Sequence, residues 1–146
     1  PEFSRRGRGL PVYAALRHLG KNGVADMISG CCRHARTMAQ RLGDTPGVEV
    51  LNELVLYQVL VRFAADGRDA DEVTRAVIRR VQQDGTCWLG GSVWKNKAVM
   101  RISVSNWSTT DDDADRSVDA ILRAFEEEKS ASHAGESLVR ADPSTL

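Results

Sequence analysis

The sequence predicts an α+β domain: two N-terminal helices followed by a small antiparallel sheet with helices packed on one face. Three observations carry this expectation. An apolar stripe at helical spacing runs from Val24 to Leu42. The period then switches to alternation, with Tyr57, Val59, Val61 and Phe63 interleaved with Gln58, Leu60 and Arg62. Two further extended runs, "TCWLGGSVW" and "AVMRISVSN", are separated only by "KNK", a hairpin-like connection. A chain of 146 residues holds one core of ordinary size with attached arms. With 42% hydrophobic and 27% charged residues, its composition is that of a folded domain, not of a disordered chain.

The elements follow in order. "LPVYAALRHLG" is rich in helix formers and closes at Gly20, with Gly23 completing a turn. Val24, Met27, Ile28, Cys31, Ala35, Met38, Ala39 and Leu42 then form the stripe of one continuous helix ending at Gly43. That apolar surface is more than a small sheet can cover, which suggests helices belonging to something larger. "VEVLN" and "VLYQVLVRF" read as strands because β-branched residues are enriched and the period is two. "DADE", Asp69 to Glu72, is an acidic version of a capping box, and Val73, Ala76, Val77 and Val81 follow it before the stop at Gly85. The hairpin comes next, with Cys87–Val93 expected to pair with Val99–Ser105. Thr110 then precedes Asp111, Asp112 and Asp113, acids suited to a helix N-terminus, and Ala114, Val118, Ile121, Leu122 and Phe125 give that helix an apolar face. Beyond Glu128, "KSASHAGESLVRADPSTL" is small, polar and without period. The expected division is a helical segment over 1–47, an α+β domain over 48–128 and a disordered tail over 129–146.

Charge and motif content narrow the function classes. Lys+Arg and Asp+Glu number 20 each, so no net field draws the molecule to nucleic acid or an acidic membrane surface. No apolar run approaches the roughly 20 residues that cross a bilayer. "PEFSRRGRGL" lacks the apolar stretch of a secretory signal, and the cytoplasm is the default expectation. Cys31, Cys32 and Cys87 form no metal-ligand spacing, and their odd number argues for reduced thiols. A nucleophilic Cys87 would need a base, and His18, His34 and His133 fall in no recognisable partner spacing.

The stretch "VMRISVSNWSTT" places an arginine inside a strand. Met100, Ile102 and Val104 define its apolar face, leaving Val99, Arg101, Ser103 and Ser105 on the other. Arg101 is then either a solvated surface residue or a carboxylate anchor, since a guanidinium on a rigid strand presents a planar fork that matches a carboxylate. Gly90 and Gly91 read equally as a close backbone approach or as a strand bulge.

"SRRGRGLPVYAALRHLGKNG", "GTCWLGGSVW" and "MRISVSNWSTTDDDADRSVDAI" resemble, in order and spacing, the C-terminal part of the pyridoxal-phosphate-dependent group II amino-acid decarboxylases, the aromatic-L-amino-acid, glutamate and diaminobutyrate decarboxylase family. The resemblance runs from about Glu2 to Phe125. It implies the small C-terminal domain of a fold-type I enzyme, residues 1–47 closing the large cofactor-binding domain, an amino-acid substrate and a homodimer. It also implies that Arg101 matches the arginine that contacts the substrate carboxylate in glutamate-type members. Arg5 and Arg6 fit a family motif too, or make structural ion pairs. The family's anchoring lysine follows a histidine, and none of Lys21, Lys95, Lys97 and Lys129 does. No cofactor-binding, catalytic or metal-ligating residue is therefore assigned to this chain, and the stretch alone is expected to be inactive. Another fold-type I enzyme, such as an aminotransferase or carbon–carbon lyase, and a non-catalytic amino-acid-binding or dimerisation module remain as alternatives.

Overall fold

The computed structural model describes Gly7 and residues 9–139. Helix α1 (Gly9–Gly43) is followed by strands β1 (Val48–Val50) and β2 (Gln58–Phe63), helix α2 (Ala70–Asp84), strands β3 (Gly90–Trp94) and β4 (Lys97–Ser103), and helix α3 (Asp111–Val139). The strands form one antiparallel sheet in the order β1-β2-β4-β3. The α+β architecture expected from the periodicity is the one observed.

The α1 span is two helices meeting at Gly20, whose φ of 62° and ψ of −173° break the helical path. Only glycine takes that combination without strain. Past the break the stripe buries Cys31, Ala35, Met38, Ala39 and Leu42. Ahead of it Leu10, Tyr13 and Leu16 remain 72%, 62% and 52% exposed, so this stretch has no covering layer among the described residues. The buried length of α1 is tied to α3 by Arg41, which donates to Asp115 at 2.8 Å and Asp119 at 2.6 Å, and by buried His34 against Asp111 at 3.1 Å.

Local signals set the other boundaries. Asp69 caps α2 by accepting from the Asp71 N–H, and Gly85, with φ of 78°, ends it in the left-handed conformation. Thr110 and Asp113 cap α3 reciprocally: the Asp113 N–H donates to Thr110 Oγ1, and the Thr110 N–H and hydroxyl donate to Asp113 Oδ2. Those bonds, led by the backbone N–H, hold the Asp113 carboxyl down at about 2.

Gly47 marks where β1 enters the core. Its φ is 85°, and a Cβ there would meet the Ala64 carbonyl oxygen at 2.7 Å and the Phe125 ring at 3.1 Å. The core between sheet and helices is centred on Phe63 and Phe125, with ring centroids 5.2 Å apart, and on Val59, Val61, Val77 and Met100.

Two boundaries differ from expectation. The hairpin turn uses only Lys95 and Asn96, both at positive φ (49° and 62°), so Lys97 joins β4 and the paired segments are Gly90–Trp94 and Lys97–Ser103. Helix α3 runs on to Val139, correcting the expectation of a disordered segment from residue 129. Small polar residues without an apolar period still propagate a helix already started, since alanine, lysine and glutamate are good helix formers. Lys129 supports the passage by pairing with Glu126 at 2.7 Å and lying over the Phe125 ring. The rest of the expected tail, 140–146, lies outside the described residues.

Candidate functional site

Strand β4 decides which face of the sheet is covered. Met100, Ile102 and Val104 belong to the core shared with the helices, while Arg101 and Ser103 are exposed on the opposite face. Gly91, level with Met100, shares the covered face, where a Cβ would stand 3.6 Å from Ile78 Cδ1. The alternation read from the sequence therefore holds at Arg101.

The register fixes its neighbours. Arg101 pairs with Leu60 on β2 and with Gly90 on β3. Two residues along the same face, Ser103 stands opposite Gln58, whose Nε2 donates to the serine Oγ at 3.4 Å. No acidic side chain stands at these paired positions. Among the described residues Arg101 has no hydrogen bond and no ion pair.

Arg62, two positions from Leu60 and so on the same face, is arranged differently. Its Nη1 donates to Asp71 and to the Ala98 carbonyl, at 2.5 and 3.3 Å, and the Ala98 N–H donates to the same Asp71 oxygen at 3.1 Å. That backbone bond is the main reason the Asp71 carboxyl is held below its usual range, with Arg62 adding to it against the cost of burial. The Arg62 side chain reaches across this end of β4, and Val99, placed on the polar face by alternation, is completely buried. Sequence pattern assigned Val99 to that face but could not show it covered, because burial there depends on tertiary packing that alternation does not register.

The remaining expected groups fall elsewhere. Cys31 and Cys32 are buried in α1, Cys87 is half-buried, and all are free thiols; burial pushes the Cys87 thiol up, away from the nucleophilic form. His18 is exposed on α1, and His34 is committed to the α1–α3 contact. Arg5 and Arg6 lie outside the described residues. Among the described residues there is no cluster of histidine, cysteine and carboxylate able to hold a metal ion, and no helix is long and apolar enough to cross a membrane.

Pyridoxal phosphate, the cofactor of the family that the sequence resembles, needs a lysine in a concave site. Lys21 is exposed on α1, Lys95 and Lys97 are exposed at the hairpin turn, and Lys129 is engaged with Glu126 and Phe125. None of these fits a covalent anchor. The open face carries the unpaired guanidinium of Arg101.

No family model matches the sequence, and no curated protein sequence matches it significantly. Solved structures do match the fold. Catharanthus roseus tryptophan decarboxylase in complex with L-tryptophan superposes with a TM-score of 0.76 at 17% identity, over 84% of this chain and 27% of that one. Oryza sativa TDC with PLP gives 0.76 at 22% identity, over 86% and 28%. The glutamate decarboxylase domain of diaminobutyrate-pyruvate transaminase and L-2,4-diaminobutyrate decarboxylase from Vibrio parahaemolyticus gives 0.69 at 22%, over 81% and 26%. The chain thus spans about a quarter of the length of these structures, and it has the fold of the corresponding part of the group II pyridoxal-phosphate decarboxylases.

Proposed function

We propose that this chain is the small C-terminal domain of a pyridoxal-phosphate-dependent amino-acid decarboxylase, a carboxy-lyase releasing carbon dioxide and an amine, and that Arg101 binds the substrate carboxylate there. The observation that carries the reading is an exposed, unpaired strand arginine on the uncovered face of a sheet whose fold is shared with solved decarboxylases. A surface arginine on a flexible helix would be adequate for solubility. One on an interior strand of the sheet, between β2 and β3 and flanked by neutral residues, is held in place and left without an internal counter-ion.

Such an arginine grips a carboxylate through two parallel N–H···O bonds and fixes its plane. In a decarboxylase that orientation sets which bond at the substrate carbon is aligned for cleavage. Since none of this chain's lysines fits the cofactor, the reading assigns cofactor anchoring to the rest of the enzyme and carboxylate recognition to this part. The exposed apolar stretch of α1, Leu10 to Leu16, is then the surface that closes onto the large domain. A homodimer in the cytoplasm completes the proposal.

The test is Arg101→Lys in the complete enzyme containing this chain. Losing the fork is expected to remove about 1.5–3 kcal/mol of charge-assisted bonding, or roughly one to two orders of magnitude in kcat/KM, with Tm unchanged. Equal kcat/KM would return Arg101 to a solvated surface residue. The 146-residue chain alone, given pyridoxal phosphate and amino acids, is expected to form no amine. Turnover would refute the assignment of cofactor anchoring to other parts of the enzyme.

A further inference from the structure

Gly90 stands directly across β3–β4 from Arg101, and nothing structural requires a glycine there. Pairing runs without a break from Gly90↔Arg101 to Trp94↔Lys97, so the residue does not form a bulge. Its φ is not positive, so an L side chain would be unstrained. A Cβ built on it meets nothing within 4 Å, so packing does not exclude one. A glycine inside a strand weakens the strand relative to residues with a side chain. Here that weakness brings no turn, no close approach and no relief of strain.

Its consequence lies on the open face. Paired residues of neighbouring strands hold their side chains roughly 5 Å apart, close enough to interact. Leu60 lines one side of Arg101, and on the other side the directly paired position has no side chain. We infer that the absence of a long or acidic side chain at Gly90 is what keeps the Arg101 guanidinium open to an incoming carboxylate, making position 90 the one that controls access to it. An acidic side chain at this position would capture the guanidinium from within, and a bulky one would cover its edge. The inference rests on Arg101 being a carboxylate site, and the experiment separates the two.

The experiment uses the 146-residue chain, with the Arg101 side-chain Nε–Hε resonance followed by NMR as acetate replaces chloride at constant ionic strength. The unsubstituted chain and Gly90→Ala are expected to show the same saturable shift, and Arg101→Gln none at the remaining resonances of this face. Gly90→Glu is expected to weaken acetate binding by about tenfold or more, because a tethered carboxylate acts at a high effective concentration. The introduced carboxylate should itself titrate below the ordinary glutamate value of about 4.3. An ordinary titration together with unchanged acetate affinity would overturn the role of Gly90 while leaving Arg101 as a carboxylate site. No acetate response at Arg101 in the unsubstituted chain would overturn the Arg101 reading, and the access role with it.

Discussion

The two faces of β4 are built from adjacent residues and meet opposite environments. Met100 and Ile102 are 0% and 6% exposed, whereas Arg101 and Ser103 between and after them are open to solvent. All the helices lie on the Met100 side, where the hydrophobic effect assembles the fold. The Arg101 side has no such layer, and the proposed carboxylate site lies on it. The difference teaches that the pleat separates the packed face from the face proposed for recognition: substitutions one residue apart should act on different properties. Arg62 shows that the separation is not automatic. It shares the open face but is drawn into a structural ion pair with Asp71, while Arg101, with neutral neighbours, is not.

The most damaging way to break the comparison is on the covered face. Phe125 is completely buried against Phe63 and lies close over Gly47, so the site has little room to collapse. Phe125→Ala is expected to lose about 3–5 kcal/mol of unfolding free energy, measured by denaturant titration. A loss below 1 kcal/mol would mean that the helix layer is not the fold's main support.

A smaller effect is expected where the helix layer uses charge. Glu128 accepts from Arg68 and Arg80, each at 2.7 Å, joining α3 to α2. Burial pushes its carboxyl up, but the two arginines outweigh this and hold it below its ordinary 4.5. Arg80 is 36% exposed, so solvent screening discounts the bond. Glu128→Gln should cost about 1–2 kcal/mol at neutral pH. A folded pKa below the unfolded one means that this stability is complete above the unfolded value and is lost as pH falls through the folded one. The deficit of the variant should therefore shrink in acid; a deficit that is constant down to pH 3 would rule out the charge as its origin.

Much of this layout was legible in the sequence because its causes are local. The Val59–Val61–Phe63 alternation, the Asp69 and Thr110 caps and the Gly20 break each depend on a few neighbouring residues, and the structure places each as expected. The hairpin was found, but its turn was read one residue too long, since only the backbone shows that Lys95 and Asn96 alone take positive φ. The α3 extension was missed because helix propagation needs no apolar period once a packed helix feeds it. At the candidate site, the face of Arg101 was legible and its freedom from partners was not. That freedom depends on Leu60, brought beside it by a strand distant in the chain, and on Gly90, set opposite it by the hairpin register. The expected pairing of Cys87–Val93 with Val99–Ser105 put the two strands side by side, but the register that sets Gly90 opposite Arg101 came only with the two-residue turn.

A weaker lever acts at the start of α3. Thr110→Ala removes the hydroxyl that accepts from the Asp113 N–H, and should cost about 1 kcal/mol, read as a lowered denaturation midpoint. Asp113 adds a pH signature. Its folded pKa of about 2 lies below the unfolded 3.8, so its contribution is present above pH 4 and disappears as pH falls from there toward 2. In Thr110→Ala this acid-dependent component should be reduced only in part, because the hydroxyl bond to the carboxyl is lost while the larger backbone N–H bond remains. An unchanged acid limb would assign the shift to the backbone N–H bond and to Arg116, which also pairs with Asp113.

The smallest expected effect is on stability at Arg101 itself. Arg101→Ala removes a charge that meets no acid and a side chain that no described residue hydrogen-bonds, from a face the helices do not cover. Surface changes of this kind usually stay within about 0.5 kcal/mol of zero. The expected result is an unchanged midpoint, beside a several-kcal/mol loss for Met100→Ala one residue earlier, where a fully buried side chain would leave a cavity of the kind that costs about 2–5 kcal/mol. The pair is measured in the same denaturant series, so differences in conditions cancel. Should Arg101→Ala unfold the protein as readily as Met100→Ala, the arginine would be structural, and the open face would lose its claim to be free for a ligand. If the midpoint holds while carboxylate binding vanishes, the two faces of one strand are doing separate work, and the residue that stability can spare is the one recognition requires.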